Sequence, residues 1–257
     1  MSQYEYSFGS GASGRPGITW ATQRLILANV IVFALQLVSD PLFKSAGVHS
    51  GYFGGGFGLW FGFYQPAFLQ GFVWTPFTYQ FLHSTLLHLF LNMLWLFFFG
   101  PDVERVLGTR NFFRFYLICG AGGVLATFIP YFVNGSATNV VGASGAVMGV
   151  LVAFALIEPD RQVFLFPFPW PLNARALVMI VVVMNIITAL SAAPVSVMTH
   201  FGGMVMGFLY MKSLPLILNF QRNRRRRASE AKKKTKPSEK VGEAVDNIFK
   251  FDDRKRR

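Results

Sequence analysis

Six stretches of this chain are too apolar for water, and they fix what it can fold into. They fall at about 22 to 39, 79 to 99, 112 to 133, 144 to 157, 174 to 192 and 196 to 218. A run of roughly 20 predominantly apolar residues reads as a membrane-spanning helix. In lipid each backbone N–H and C=O must find its partner within the protein, which restricts spanning segments to helices or closed barrels. The expected fold is therefore an all-α polytopic membrane bundle of six helices, with a long interfacial loop between the first two. Composition agrees: 53% of the 257 residues are apolar and 29 are Phe, far from the balance of a soluble domain.

Charge orients such a bundle. The loops at 100 to 111 and 158 to 173, with their flanks, carry Arg105, Arg110, Arg114, Arg161 and Arg175. Those at 40 to 78, 134 to 143 and 193 to 195 together carry only Lys44. Basic residues collect on the cytoplasmic side, so both termini are expected there. Residues 1–20 show no basic leader or small-residue cleavage site and read as a cytoplasmic segment, followed by a membrane domain at 21–220. The remainder, 221–257, is a basic cytoplasmic tail: of 24 Lys and Arg, 15 lie from Arg222 onward, against six of the 12 acids. Its expected partner is anionic lipid, with no nucleic acid.

The fourth stretch is short. From Ser144 to Ile157 is about 14 residues, or roughly 21 Å of helix, against a hydrocarbon layer of roughly 30 Å. With its inner end at Glu158, its outer end lies about 10 Å below the opposite surface. The non-helical chain before it must then dip into the membrane, which is tolerated beside protein or a wet cavity. Ser144, in Gly142-Ala143-Ser144-Gly145, is thus expected at the bottom of a pit.

Other polar residues gather at that level. Counted along continuous helices, His88 lies about 14 Å from Tyr79 and His200 about 9 Å from Pro194. His83 and Asn92 share the second stretch with His88. No carboxylate lies within the apolar stretches apart from Asp40 and Glu158 at their edges. Ion-coupled transport and hard-metal binding ordinarily need one there, so no metal or cofactor is expected. The pairs Gly145/Gly149 and Gly203/Gly207 have the small-xxx-small spacing that lets helix backbones approach. His200 shares a face with Gly203 and Gly207.

A hydroxyl, imidazoles and an amide on separate helices suggest nucleophilic catalysis. Three ordered blocks carry a resemblance: His83-Ser84-Thr85-Leu86-Leu87-His88-Leu89-Phe90-Leu91-Asn92-Met93, then Gly142-Ala143-Ser144-Gly145, then His200-Phe201-Gly202-Gly203. Gly100-Pro101-Asp102-Val103-Glu104-Arg105-Val106-Leu107-Gly108 adds a turn after the second span. Together these resemble the rhomboid family of intramembrane serine proteases, of the bacterial type, over about 74 to 208. The resemblance implies a rhomboid-like six-helix core, Ser144 as nucleophile, His200 as general base, His88 and Asn92 at the oxyanion, and His83 in support. Some relatives carry a stacking tyrosine four residues after the serine; here it is Met148, whose sulfur can contact an aromatic edge.

With no acid available to orient His200, a Ser-His dyad is expected rather than a triad. The implied reaction is hydrolysis of a peptide bond in or near the transmembrane segment of single-span membrane-protein substrates. It would take place toward the outer face of a bacterial inner (plasma) membrane. Two other readings are an inactive rhomboid-like protein that binds membrane clients and a metal-binding channel or transporter using His83, His88 and His200.

Overall fold

The computed structural model describes residues 17–45, 56–164, 170–190 and 197–215. The described residues up to 211 belong to one compact unit, and apart from 212–215 the features below belong to it. Helix α1 (Trp20–Ser45) leads into a connection of short helices, α2 (Gly56–Phe61), α3 (Gln65–Leu69) and α4 (Thr75–Thr78), with strand β1 (Phe63–Tyr64) between α2 and α3. A 3₁₀ turn at Tyr79–Phe81 precedes α5 (Leu86–Leu107), α6 (Thr109–Leu125), α7 (Phe128–Asn134) and β2 (Asn139–Val140). Then come α8 (Ser144–Ile157), the strands β3 (Gln162–Val163) and β4 (Leu172–Asn173), and α9 (Ala174–Leu190). The last described helix, α10, covers 197–215.

The fold is thus an all-α bundle in which each of the six apolar stretches contributes a helix. Among the described residues, Trp20–Leu42, Leu86–Leu107 and Thr109–Asn134 are long and apolar enough to cross a membrane, while Ser144–Ile157 and Ala174–Leu190 are shorter apolar helices. Their outward faces carry Leu37, Val38, Leu87, Phe90, Phe132 and Ile187, all exposed. An apolar exterior of this extent belongs in lipid.

Three boundaries differ from expectation. The second helix starts at Leu86 rather than near 79, because Thr85 is extended and its hydroxyl accepts from His88 N–H, a side-chain N-cap. His83 therefore lies before the helix, in non-helical chain. At its other end α5 continues through Pro101 to Leu107 and stops at Gly108, whose φ is 75°, so the stretch read as a turn is largely the end of a helix. The third stretch breaks after Leu125, and α7 restarts at Phe128. The loop after α8 also closes a hairpin, with Gln162 opposite Asn173 and Val163 opposite Leu172.

Glu104 fastens one end of the bundle. Projecting from the last turn of α5, its carboxylate accepts from the backbone N–H of Ala21 (2.9 Å) and Thr22 (2.8 Å) and from the hydroxyls of Thr19, Thr22 and Thr109. An anion is thereby placed at the N-terminus of α1, where unpaired donors and the helix dipole favour it. Nearby, Asp102 pairs with both Arg105 and Arg161 at 2.7 Å, joining α5 to the loop after α8.

The long connection is pinned to the chain that leads into α8. β1 pairs antiparallel with β2, Phe63 opposite Val140 and Tyr64 opposite Asn139. Beside it the buried Gln65 amide donates to the Thr127 and Thr138 hydroxyls, both at 2.8 Å, and accepts from Thr138 N–H at 2.8 Å. Trp74 donates to the Trp60 carbonyl at 2.9 Å, and Trp60 stacks on Phe72. Leu59, Trp60, Val73 and Phe77 remain exposed, an aromatic and aliphatic surface of the kind found at membrane interfaces.

Candidate active site

Ser144 is the first residue of α8, preceded by Ala143, which offers no side-chain cap. The first backbone bond into this helix runs from Val147 N–H to Ala143 C=O at 3.0 Å. The amides of Ser144, Gly145 and Ala146 therefore lie in the first turn, which has no intrahelical acceptors. These donors and the positive helix end belong to the same turn as Ser144, an arrangement suited to an anionic oxygen.

The approach to Ser144 is built on Gly142. Its φ is 125°, and a Cβ there would sit 2.6 Å from His88 Cε1 and 2.8 Å from Nε2. Only glycine meets both conditions, a backbone that L side chains rarely adopt and an imidazole lying against its Cα. Gly142 N–H donates to the Tyr79 carbonyl at 3.0 Å, and the buried Tyr79 hydroxyl donates to Gly120 C=O at 2.7 Å. Tyr79 thus ties the loop before Ser144 to α6. It also revises the depth argument: no continuous helix runs from Tyr79 to His88, and the chain before α5 already lies level with Gly142.

His88 sits in the first turn of α5 with its Nε2 edge toward Gly142. Its Nδ1 lies 3.2 Å from Ser84 Oγ. When that hydroxyl donates, the ring proton resides on Nε2 and points toward the serine loop. Asn92, one turn further and buried, donates to the His88 carbonyl at 2.9 Å. His83 is buried with its ring edge-on to His88, centroids 5.0 Å apart. Its backbone is gripped by Gln36 of α1, which accepts from His83 N–H at 3.0 Å and donates to its carbonyl at 3.4 Å.

α10 enters between α6 and α8 on glycine. A Cβ on Gly202 would lie 2.8 Å from the Gly123 carbonyl, one on Gly207 would lie 2.7 Å from the Gly149 carbonyl, and one on Gly203 would fall on the carbonyl of Gly145. Thr199 also borders Gly145, its carbonyl 3.3 Å from a Cβ there. His200, between Thr199 and Gly203 on α10, is brought in this way to the first turn of α8. No hydrogen bond joins Ser144 Oγ to His200 among the described residues; catalytic pairs are often loose before substrate binds. Met148, half-buried, lies one turn after Ser144 on α8.

Sequence reasoning missed Asn185. This α9 residue is 9% exposed, and its Oδ1 lies 2.7 Å from His200 Nδ1. The signal was an amide inside an apolar helix, costly unless it finds a partner. Tyr79 and Gln65 were missed too, since neither lies in a block that suggests chemistry.

Residues 70–215 match the family model for the rhomboid domain. Rhomboid protein 1, mitochondrial, of Saccharomyces cerevisiae is 34% identical over 152 residues, 58% of this chain and 44% of the yeast protein. Rhomboid protease GluP of Bacillus subtilis is 29% identical over 150 residues, 57% of this chain and 27% of its own length. Rhomboid protease GlpG of Haemophilus influenzae is 25% identical over 138 residues, 54% of this chain and 68% of its own. The chain thus matches less than half the length of the yeast and Bacillus proteins.

Proposed function

Because the chain belongs to the rhomboid family, we propose that it is an intramembrane serine endopeptidase with Ser144 as nucleophile and His200 as general base. The observation that carries this reading is the glycine contact of α8 with α10, which brings the His200 turn against a serine at an uncapped helix start. His200 takes the Ser144 proton as Oγ attacks the scissile carbonyl. The tetrahedral oxyanion receives the first-turn amides of α8 together with side-chain donors of His88 and Asn92. The imidazolium then protonates the leaving amine, and water hydrolyses the acyl-serine by the same steps in reverse roles. Gly142, Gly145 and Gly203 support this by letting His88 and α10 come close, and His83 backs the His88 ring. Met148, one turn after Ser144 on α8, is assigned the part of bracing His200 through its sulfur.

The lipid-facing exterior and the shortness of α8 favour single-span membrane proteins as substrates, cut where their helix is weak enough to expose a carbonyl. The arginine asymmetry favours both termini on the cytoplasmic face of the membrane, with the serine toward the outer face. The basic tail at 221–257 lies outside the described residues, and its run of Lys and Arg favours anionic lipid as its partner. Fusions of each terminus to a reporter active on one side of the membrane test this orientation.

The experiment that tests the activity is cleavage of a single-span reporter co-reconstituted in liposomes, paired with fluorophosphonate labelling. Wild type is expected to cleave and to label, and Ser144→Ala to do neither while unfolding at the same temperature. Equal cleavage by both proteins would overturn the proposal. Absence of cleavage and labelling in both would leave the client-binding reading in its place.

A further inference from the structure

The Asn185–His200 hydrogen bond has a direction. The Asn185 amide nitrogen donates to the Val181 carbonyl of its own helix at 2.8 Å, which commits the NH₂ end and leaves Oδ1 at His200 Nδ1, 2.7 Å away. A reversed amide would set Oδ1 against a carbonyl, two acceptors face to face. An acceptor at Nδ1 requires the ring to carry its proton there, so Nε2 is left bare. A bare Nε2 is what a general base needs.

The placement of Asn185 points the same way. In α9 the buried residues are Ala174, Leu177 and Asn185, and around Asn185 the side chains of Val183, Met184, Ile186 and Ile187 are exposed. Asn185 is the inward residue of a stretch that otherwise faces outward, and its polar end meets His200. We propose that Asn185 is a positioning residue that holds His200 in the Nδ1–H tautomer and fixes its ring plane. The catalytic pair remains Ser144 and His200, and Asn185 acts on it only through the imidazole. The inference rests on the protease reading for its catalytic meaning, but the tautomer can be measured without it.

The test compares wild type with Asn185→Leu, which is isosteric and lacks the acceptor, Asn185→Asp, which in this apolar site is protonated, so that it keeps the acceptor and can still donate to the Val181 carbonyl, and Thr188→Val. Thr188 is a half-buried α9 residue whose hydroxyl donates back to Met184 C=O at 2.8 Å. In ¹⁵N spectra of histidine-labelled protein, His200 should be the Nδ1–H tautomer in wild type and a mixture in Asn185→Leu. Fluorophosphonate labelling of Ser144 and kcat for the reporter should fall roughly tenfold to a hundredfold in Asn185→Leu. KM should hold, Asn185→Asp should recover to within a few-fold of wild type, and Thr188→Val should match wild type. A single Nε2–H tautomer in wild type, labelling by Asn185→Leu at the wild-type rate, or equal impairment of Leu and Asp variants would each overturn the inference. Wild type that never labels at Ser144 sinks the protease reading, while the spectra still decide the tautomer. Should Asn185→Leu fail to fold, the wild-type spectrum and the Asp variant retain that power.

Discussion

The carbonyl of Gly145 occupies the place where a side chain on Gly203 would begin. Helices α8 and α10 therefore meet backbone to backbone one residue after Ser144 and about one turn after His200. A methyl group there collides with main chain, which cannot swing aside as a side-chain tip can, so the helices must separate. Gly203→Ala is expected to destabilise by about 1–3 kcal/mol. Reporter cleavage should fall further than the loss of folded protein explains, because a Ser-His pair needs heavy atoms about 3 Å apart. Thermal unfolding in detergent and cleavage per folded molecule separate the two effects.

Gly142 carries a different burden. Alanine there meets a φ of 125° and the His88 ring together. The backbone strain alone costs on the order of 1–3 kcal/mol, and relieving the clash moves His88 away from the serine loop. Gly142→Ala should therefore lower kcat by tenfold or more while melting only a few degrees below wild type. Wild-type kcat in this variant would show that the His88 contact does not matter to turnover.

Much of this arrangement was legible before the structure. α8 begins at Ser144 and ends at Ile157 as the apolar run and Glu158 indicated, and both glycine pairs meet across the α8–α10 crossing. These features depend on local hydropathy and on small residues at helical spacing, which a sequence displays directly. The start of α5 was not legible: the chain from Tyr79 to Thr85 is apolar enough to pass for helix, and only the Thr85 cap decides otherwise. Asn185 escaped for another reason. Its meaning lies in a partner 15 residues away on the next helix, and a lone amide does not announce that partner. The absence of a membrane acid suggested an unassisted histidine, yet an amide oxygen is also an acceptor.

Tyr79 separates scaffold from chemistry. Its hydroxyl donates to Gly120 C=O, while the carbonyl that holds Gly142 belongs to the backbone and survives substitution. Tyr79→Phe should cost about 1–2 kcal/mol, the penalty for a buried acceptor left without its donor. Activity per folded molecule should stay within a few-fold of wild type. A much larger loss of activity at full stability would mean that the hydroxyl acts on the site itself.

Glu104 provides the complementary case at the far end of α5. About 16 residues, or roughly 24 Å of helix, separate it from His88, so its effect on chemistry can only be indirect. Its carboxylate accepts from two backbone amides and three hydroxyls. Glu104→Gln replaces one acceptor oxygen with an NH₂ that faces those donors, leaving at least one buried group unpaired. The expected loss is about 1–3 kcal/mol, read as a lower unfolding temperature in detergent, with cleavage per folded molecule unchanged. Glu104→Asp keeps the charge but withdraws it by one methylene, about 1.5 Å, beyond the reach of some of its donors. It should therefore recover only part of the stability. If Glu104→Gln were as stable as wild type, the donors around it would have to find other acceptors, and the N-terminus of α1 would not depend on this carboxylate.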